Sequence, residues 1–287
     1  MRSRQWSSGH LRATVIGLLL LGLASGCGGG GGGRAALTVK GSDTMVILGQ
    51  RWAEAYMSEH AGTIIQVTGG GSGTGFAALI NGTTDICQAS RPIKDEERKQ
   101  IEERFGAPPH ETVVARDGLA IYLHTGNPIA ELSLAQLRDI YGGKITRWNG
   151  VGGPNAPIVL YGRENSSGTY EYFKEHVLEK GDFAVSVQTL PGTAAVVNAV
   201  ARDPNGIGYG GAAYLKGVKE CAVKADDASP ATLPTAENVR SRAYPISREL
   251  YFYSRKAPEG PMKAFVDFAL SDTGQKLVTE VGYFPVH

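Results

Sequence analysis

Short β-rich runs alternate with amphipathic stretches along most of this 287-residue chain, and the rhythm predicts an α/β fold with largely parallel strands. Residues 37–40 form the first predicted strand. Behind them Ser42-Asp43-Thr44 offers cap residues to a helix whose Met45, Leu48, Trp52 and Tyr56 fall on one face. Residues 64–68 read as a second strand that runs into Gly69-Gly70-Gly71-Ser72-Gly73-Thr74-Gly75. A short helix through Phe76, Leu79 and Ile80 follows, then a third strand at 85–89. Ser90-Arg91-Pro92 ends that strand, and 95–105 is a charged, solvent-facing helix.

Residues 113–123 are a long run for a single strand, which suits a passage from one lobe into another. A second set repeats the unit: strand 158–161, loop 162–169, and a helix through Tyr172, Phe173 and Val177. Residues 194–201 read as helix, stopped by the turn signal Asp203-Pro204-Asn205-Gly206 ahead of a buried strand end at Ile207-Gly208-Tyr209-Gly210. Beyond a polar stretch at 226–238, Leu250-Tyr251-Phe252-Tyr253 is the expected returning crossover. Residues 262–278 show helical spacing at Phe265, Phe268, Ala269 and Leu277. The expected layout is two lobes joined by two crossover strands, with residues 37–117 plus 246–287 in one lobe and 118–245 in the other.

The N-terminus changes the picture of where this body works. Arg2, Arg4 and Arg12 flank an apolar run at 13–23 and small residues up to Cys27, the layout of a secretory signal over residues 1–26. The apolar run is shorter than the roughly 18 to 20 residues a membrane-spanning helix needs. Leu23-Ala24-Ser25-Gly26-Cys27 resembles a bacterial lipobox, which makes Cys27 the expected lipidation site. The glycine run at 28–33 then supplies a flexible tether within residues 27–36. The expected location is extracytoplasmic, at the periplasm or cell surface, with a lipid anchor in the membrane.

Losing that leader removes three of the 29 Lys and Arg, leaving 26 against 28 Asp and Glu, a formal charge of −2. A near-neutral chain without a Lys/Arg block argues against nucleic acid as partner, so any anion site must be local. Cys87 and Cys221 lack metal-ligand spacing; two buried free thiols are the default, and a disulfide is the alternative for an oxidising compartment.

Three loops place glycines and hydroxyl residues where a strand gives way to a helix: Gly41-Ser42-Asp43-Thr44, Gly71-Ser72-Gly73-Thr74-Gly75 and Asn165-Ser166-Ser167-Gly168-Thr169. Free N–H groups at a helix start favour an anion, glycine admits a close backbone approach, and hydroxyls add donors. Helix caps use the same residues, so each loop alone is weak; three in one chain, one of them behind Arg163, point to an oxyanion. Arg163 suits a forked contact, with Glu164 steadying it. Arg91 has two readings, ligand contact or structural ion pair.

Enzymatic readings find little support. Ser72 and Ser167 lack the flanking glycines of a nucleophile elbow, no H-E-x-x-H helix is present, and Gly142-Gly143-Lys144 lacks the hydroxyl of a P-loop. No metal or cofactor is expected.

At these loops the sequence resembles the phosphate-specific solute-binding proteins of ABC importers, from about Leu37 to the C-terminus. The resemblance rests on Lys40-Gly41-Ser42-Asp43-Thr44-Met45, Gly70-Gly71-Ser72-Gly73-Thr74-Gly75, Asp85-Ile86-Cys87-Gln88-Ala89-Ser90-Arg91, Ile140-Tyr141-Gly142-Gly143-Lys144-Ile145 with Trp148-Asn149, Arg163-Glu164-Asn165-Ser166-Ser167-Gly168-Thr169, and Gly206-Ile207-Gly208-Tyr209. It implies a two-lobed periplasmic-binding-protein fold of type II that closes over inorganic phosphate and docks on ABC permease subunits. Carried over by motif, Ser42, Thr44 and Met45 supply hydroxyl and backbone donors, Ser72 caps the second helix toward the anion, and Arg163, Ser167, Gly168 and Thr169 clamp it from the opposite lobe. The best-studied longer members place an aspartate at the position of Arg91 as acceptor of the phosphate proton; here Asp43 is the nearest candidate. The alternatives are another tetrahedral oxyanion as ligand, or a secreted phosphoester hydrolase.

Overall fold

The computed structural model describes residues 36–287, so the expected leader, Cys27 and the glycine tether lie outside the described residues. The first half repeats a strand, a tight loop and a helix. β1 (Ala36–Gly41) passes through one 3-10 turn, Asp43–Met45, into α1 (Val46–Glu59); β2 (Ile64–Thr68) leads into α2 (Ser72–Asn81), and β3 (Ile86–Ala89) into α3 (Asp95–Phe105). β1 lies between β2 and β3, parallel to both. All four residues of β3 are buried, as a parallel strand covered on both faces demands.

β4 (His110–Leu123) then opens the second half, which runs through β5 (Glu131–Ser133), α4 (Leu134–Tyr141), β6 (Val159–Arg163), α5 (Gly168–His176), β7 (Gln188–Leu190), α6 (Thr193–Arg202), β8 (Gly206–Gly211), β9 (Lys219–Lys224) and α7 (Ala236–Arg240). β10 (Ser247–Ser254) returns, followed by α8 (Gly260–Leu270) and α9 (Asp272–Val281). The strand order β2-β1-β3-β10-β4-β8-β6-β7 makes one curled mixed sheet, with β9 and β5 branching from β4. β4 pairs antiparallel with β10 up to Gly118 and with β8 from Leu119 onward, so a single strand serves both halves. Each half has its own core. Trp52, Tyr56, Phe252 and Phe265 pack in the first; Tyr141, Trp148, Phe173 and Tyr209 pack in the second, where Phe173 stacks on Tyr209 at 4.0 Å between ring centres.

Several elements differ from the periodicity. The stretch from 262 to 278 is broken at Ser271, which is extended, ends α8 and caps α9 by accepting the Gly274 amide at 3.2 Å. A Cβ at position 274 would run into the carbonyls of Phe268 and Ala269, so the corner depends on a residue without a side chain. β9 was also not expected, although its residues alternate in burial.

β9 holds a carboxylate whose ionisation works against the fold. Glu220 pairs in register with Tyr122, and its Oε1 is buried without a hydrogen-bond partner. Burial pushes its carboxyl up from the ordinary 4.5 to about 7. Below about pH 4.5 both folded and unfolded chains hold the proton; as pH rises toward 7 the unfolded chain releases it first, so stability falls across that window. With allowance for solvent screening of a half-buried group, the loss is roughly 1–2 kcal/mol. Glu220→Gln is therefore expected to raise the melting temperature by about 2–6 °C at pH 8 and by nothing near pH 4. Thermal melts at the two pH values check this, and an equal shift at both would assign the effect to packing.

Candidate functional site

The ends of β1, β3 and β6 and the starts of α2, α5 and α6 meet along the seam between the two halves. This is where an open α/β sheet presents loops and helix N-termini together. Gly41, with φ of +145°, turns the chain out of β1 against β3, where any Cβ would meet the Gln88 carbonyl. The turn is held by the Ser42 amide donating to Gln88 O at 2.8 Å and by Gln88 Nε2 donating to Ser42 O at 3.1 Å. Ser42 Oγ then donates to Ser90 Oγ at 2.9 Å, and Ser72 Oγ accepts the Ser90 amide at 3.1 Å.

Neither Ser42 nor Ser72 caps a helix. No side chain caps the 3-10 turn or α1, and Gly71, not Ser72, is the N-cap of α2. The hydroxyls expected as caps therefore face the seam, and the first amides of α2 are left without a side-chain acceptor. Ser167 behaves differently: its Oγ accepts the Thr169 and Tyr170 amides at 3.2 and 3.3 Å, fixing the start of α5. Ser42, Thr44, Met45, Ser72, Arg163, Ser167 and Thr169 are all essentially buried.

Arg163, 1% exposed, ends β6 under this cluster. Nε donates to Glu164 Oε2 at 3.2 Å, Nη1 to Thr193 Oγ1 at 2.8 Å, and Nη2 to Asp43 Oδ2 at 2.9 Å and Glu164 Oε1 at 3.0 Å. A guanidinium has five N–H donors, so one on Nη1 stays free for another acceptor. Burial pushes the Glu164 carboxyl up, but the hydrogen bonds and charge of Arg163, its own amide and that of Gly192 outweigh it and hold the group below its usual value. Asp43 Oδ1 accepts the Gly70 amide at 2.9 Å, so Asp43 ties the second glycine loop to Arg163.

The halves touch directly across the seam. Thr44 Oγ1 lies 2.8 Å from Thr169 Oγ1, the Gly73 amide donates to Ser166 O at 2.9 Å, and Lys94 pairs with Glu171 at 3.1 Å nearer the surface. The three loops singled out in the sequence are thus brought into one place. Of the two readings open for Arg91, the structure has the ion pair. Nη1 and Nη2 donate to the two oxygens of Glu97 at 2.9 and 2.7 Å, Nη1 also donates to Pro92 O, and the guanidinium lies over the Phe76 ring.

Sequence reasoning missed Ser90, Thr193, Asp117 and Arg248 as parts of the site. Thr193 had a signal, because Gly192-Thr193 opens a helix as the other three loops do. Asp117 had one too, a charge inside an apolar strand run; it is fully buried and accepts from Arg248 Nε and Nη2 at 2.9 and 2.7 Å. Cys87 and Cys221 are both free and buried, and burial pushes the Cys221 thiol up to about 12. Among the described residues no group of three His, Cys, Asp or Glu is placed to hold a metal, and no helix is long and apolar enough to cross a membrane.

Comparison with known proteins fits this geometry. A family profile described as a PBP superfamily domain matches residues 28–273. The phosphate-binding protein PstS of Pseudomonas aeruginosa is 38% identical over 267 residues, covering 87% of this chain and 83% of that protein. The PstS of Staphylococcus epidermidis is 34% identical, covering 94% and 87%. A Clostridium perfringens substrate-binding protein assigned to a phosphate ABC transporter, crystallised with bound phosphate, superposes with a TM-score of 0.78 at 32% identity, over 88% of this chain and all of that one.

Proposed function

This chain belongs to the PBP superfamily, among its phosphate-binding proteins, and from that premise we propose that it captures inorganic phosphate and delivers it to the permease subunits of an ABC importer. The observation that carries the reading is the convergence of Thr44, Ser72, Arg163 and Thr169 from both halves, beside a helix start that no side chain caps. A phosphate dianion leaving water loses strong hydration, and only a nearly complete set of donors repays that loss. Residues 37–117 plus 246–287 act as one lobe and 118–245 as the other, turning about β4 and β10. Closure completes the donor set, so ligand binding favours it, and the permease reads the closed form. Ser42, Met45, Ser167 and Gly168 line the same seat, and Asp43 accepts the proton that phosphate carries and sulfate lacks. The chain works as a non-catalytic receptor outside the cytoplasm, tethered through Cys27 and its glycine linker.

Calorimetry on the ligand-stripped soluble domain tests the reading. Phosphate is expected to bind one to one and sulfate at least about a hundredfold more weakly, because an acceptor facing an unprotonated oxyanion repels it. Asp43→Ala is expected to narrow that gap. Absence of heat with phosphate overturns the function, and an unchanged gap in the variant removes Asp43 from the acceptor role.

A further inference from the structure

Asp117 and Arg248 face each other in register where β4 and β10 pass between the halves. Asp117 Oδ2 takes two donors of the guanidinium, and its Oδ1 accepts the Ala212 amide at 3.0 Å, so the carboxylate is satisfied on both oxygens. The third nitrogen of Arg248 does something else. Nη1 donates to Ser90 O at 3.2 Å, in the first half, and to Thr169 Oγ1 at 3.0 Å, in the second. The guanidinium also lies 5.5 Å from the centre of the Tyr172 ring, which flanks it on the α5 side.

The direction of that bond to Thr169 follows from chemistry alone. Arginine has donors and no acceptor, so Thr169 Oγ1 must accept from it. The single hydroxyl proton of Thr169 is then directed elsewhere, and the other polar neighbour is Thr44 Oγ1 at 2.8 Å, in the ligand seat. The Thr169 amide is already spent on Ser167 Oγ. Without Arg248 no donor occupies that lone pair, and the hydroxyl must be oriented by Thr44 and the anion alone, at the cost of its rotational freedom on binding.

We propose that Arg248, anchored on Asp117 at the crossover, is a positioning residue for anion capture: it fixes the Thr169 hydroxyl as a donor and joins the hinge to the loops of both halves. The inference rests on phosphate capture at the seam. It makes the effect of Arg248 depend on the Thr169 hydroxyl, which a purely structural role does not.

The test is a double-mutant cycle read by calorimetry with inorganic phosphate, with thermal melts of the ligand-free proteins as the folding control. Arg248→Lys keeps a cation beside Asp117 but cannot span the three acceptors, and is expected to weaken phosphate binding about tenfold. In a Thr169→Ala background the same change is expected to cost less than about twofold. A second pair, Arg248→Met with Asp117→Leu, replaces the buried ions by apolar groups of similar volume and is expected to show the same dependence on Thr169. Equal fold-changes in the two backgrounds, or no change in the parent, overturn the inference alone. A parent protein that does not bind phosphate overturns it together with the functional reading.

Discussion

Arg163→Ala is expected to weaken phosphate binding by roughly thirtyfold to several-thousandfold. Arg163 is 1% exposed and held by Glu164, Thr193 and Asp43, with one N–H left over for a ligand oxygen. Removing it takes away that donor and also leaves Asp43 and Glu164, two carboxylates, beside the seat of a dianion. Truncating one partner of a buried, hydrogen-bonded charge pair costs about 2–5 kcal/mol, at about 1.4 kcal/mol per tenfold in affinity. Much of that cost is the stranded charge, so Arg163→Ala with Asp43→Ala should recover part of the lost affinity although it removes one more polar group. Calorimetry of the two variants measures both quantities. Affinity for the single variant within about threefold of the parent would show that the guanidinium only braces the loops.

How much of this was legible beforehand depends on how far apart the interacting residues lie. The strand, loop and helix units were readable because apolar spacing over five to ten residues records which face is buried, and β1, α1, β2, α2 and β3 fall close to their expected places. The three hydroxyl loops were readable for the same local reason. What a hydroxyl does once there was not. Ser42 and Ser167 are both serines ahead of a helix, yet only Ser167 caps one, because Ser42 finds Ser90 from a neighbouring strand. Arg91 finds Glu97 at the start of α3, a pairing set by how that helix folds back after Pro92. Asp117 and Arg248 are 131 residues apart, and only the antiparallel register of the two crossovers joins them. Periodicity says that a charge in such a strand is unusual; it does not name its partner.

Gly168→Ala is expected to weaken phosphate binding about tenfold to a hundredfold while leaving the ligand-free protein as stable as before or slightly more so. Gly168 is the first residue of α5, in ordinary helical backbone, where alanine is favoured over glycine by roughly 0.5–1 kcal/mol. The three atoms nearest to an added methyl group all belong to the other half. Across the seam, the added Cβ runs into Ser72 Oγ and comes within 2.8 Å of Ser90 Oγ and 2.9 Å of Ser72 Cβ. Rotating Ser72 away does not relieve the contact, since its own Cβ stays too close and the Ser90 amide loses its acceptor. Overpacking of this kind costs about 1–3 kcal/mol, and here the cost falls on the closed form alone. The affinity loss should therefore appear without any fall in the ligand-free melting temperature, whereas the stabilisation that phosphate gives the parent in a thermal shift should shrink. Parent-like affinity in Gly168→Ala would mean that phosphate is held without the two halves meeting as they do at Ser72 and Gly168, and the closed seam would lose its claim to be the binding state.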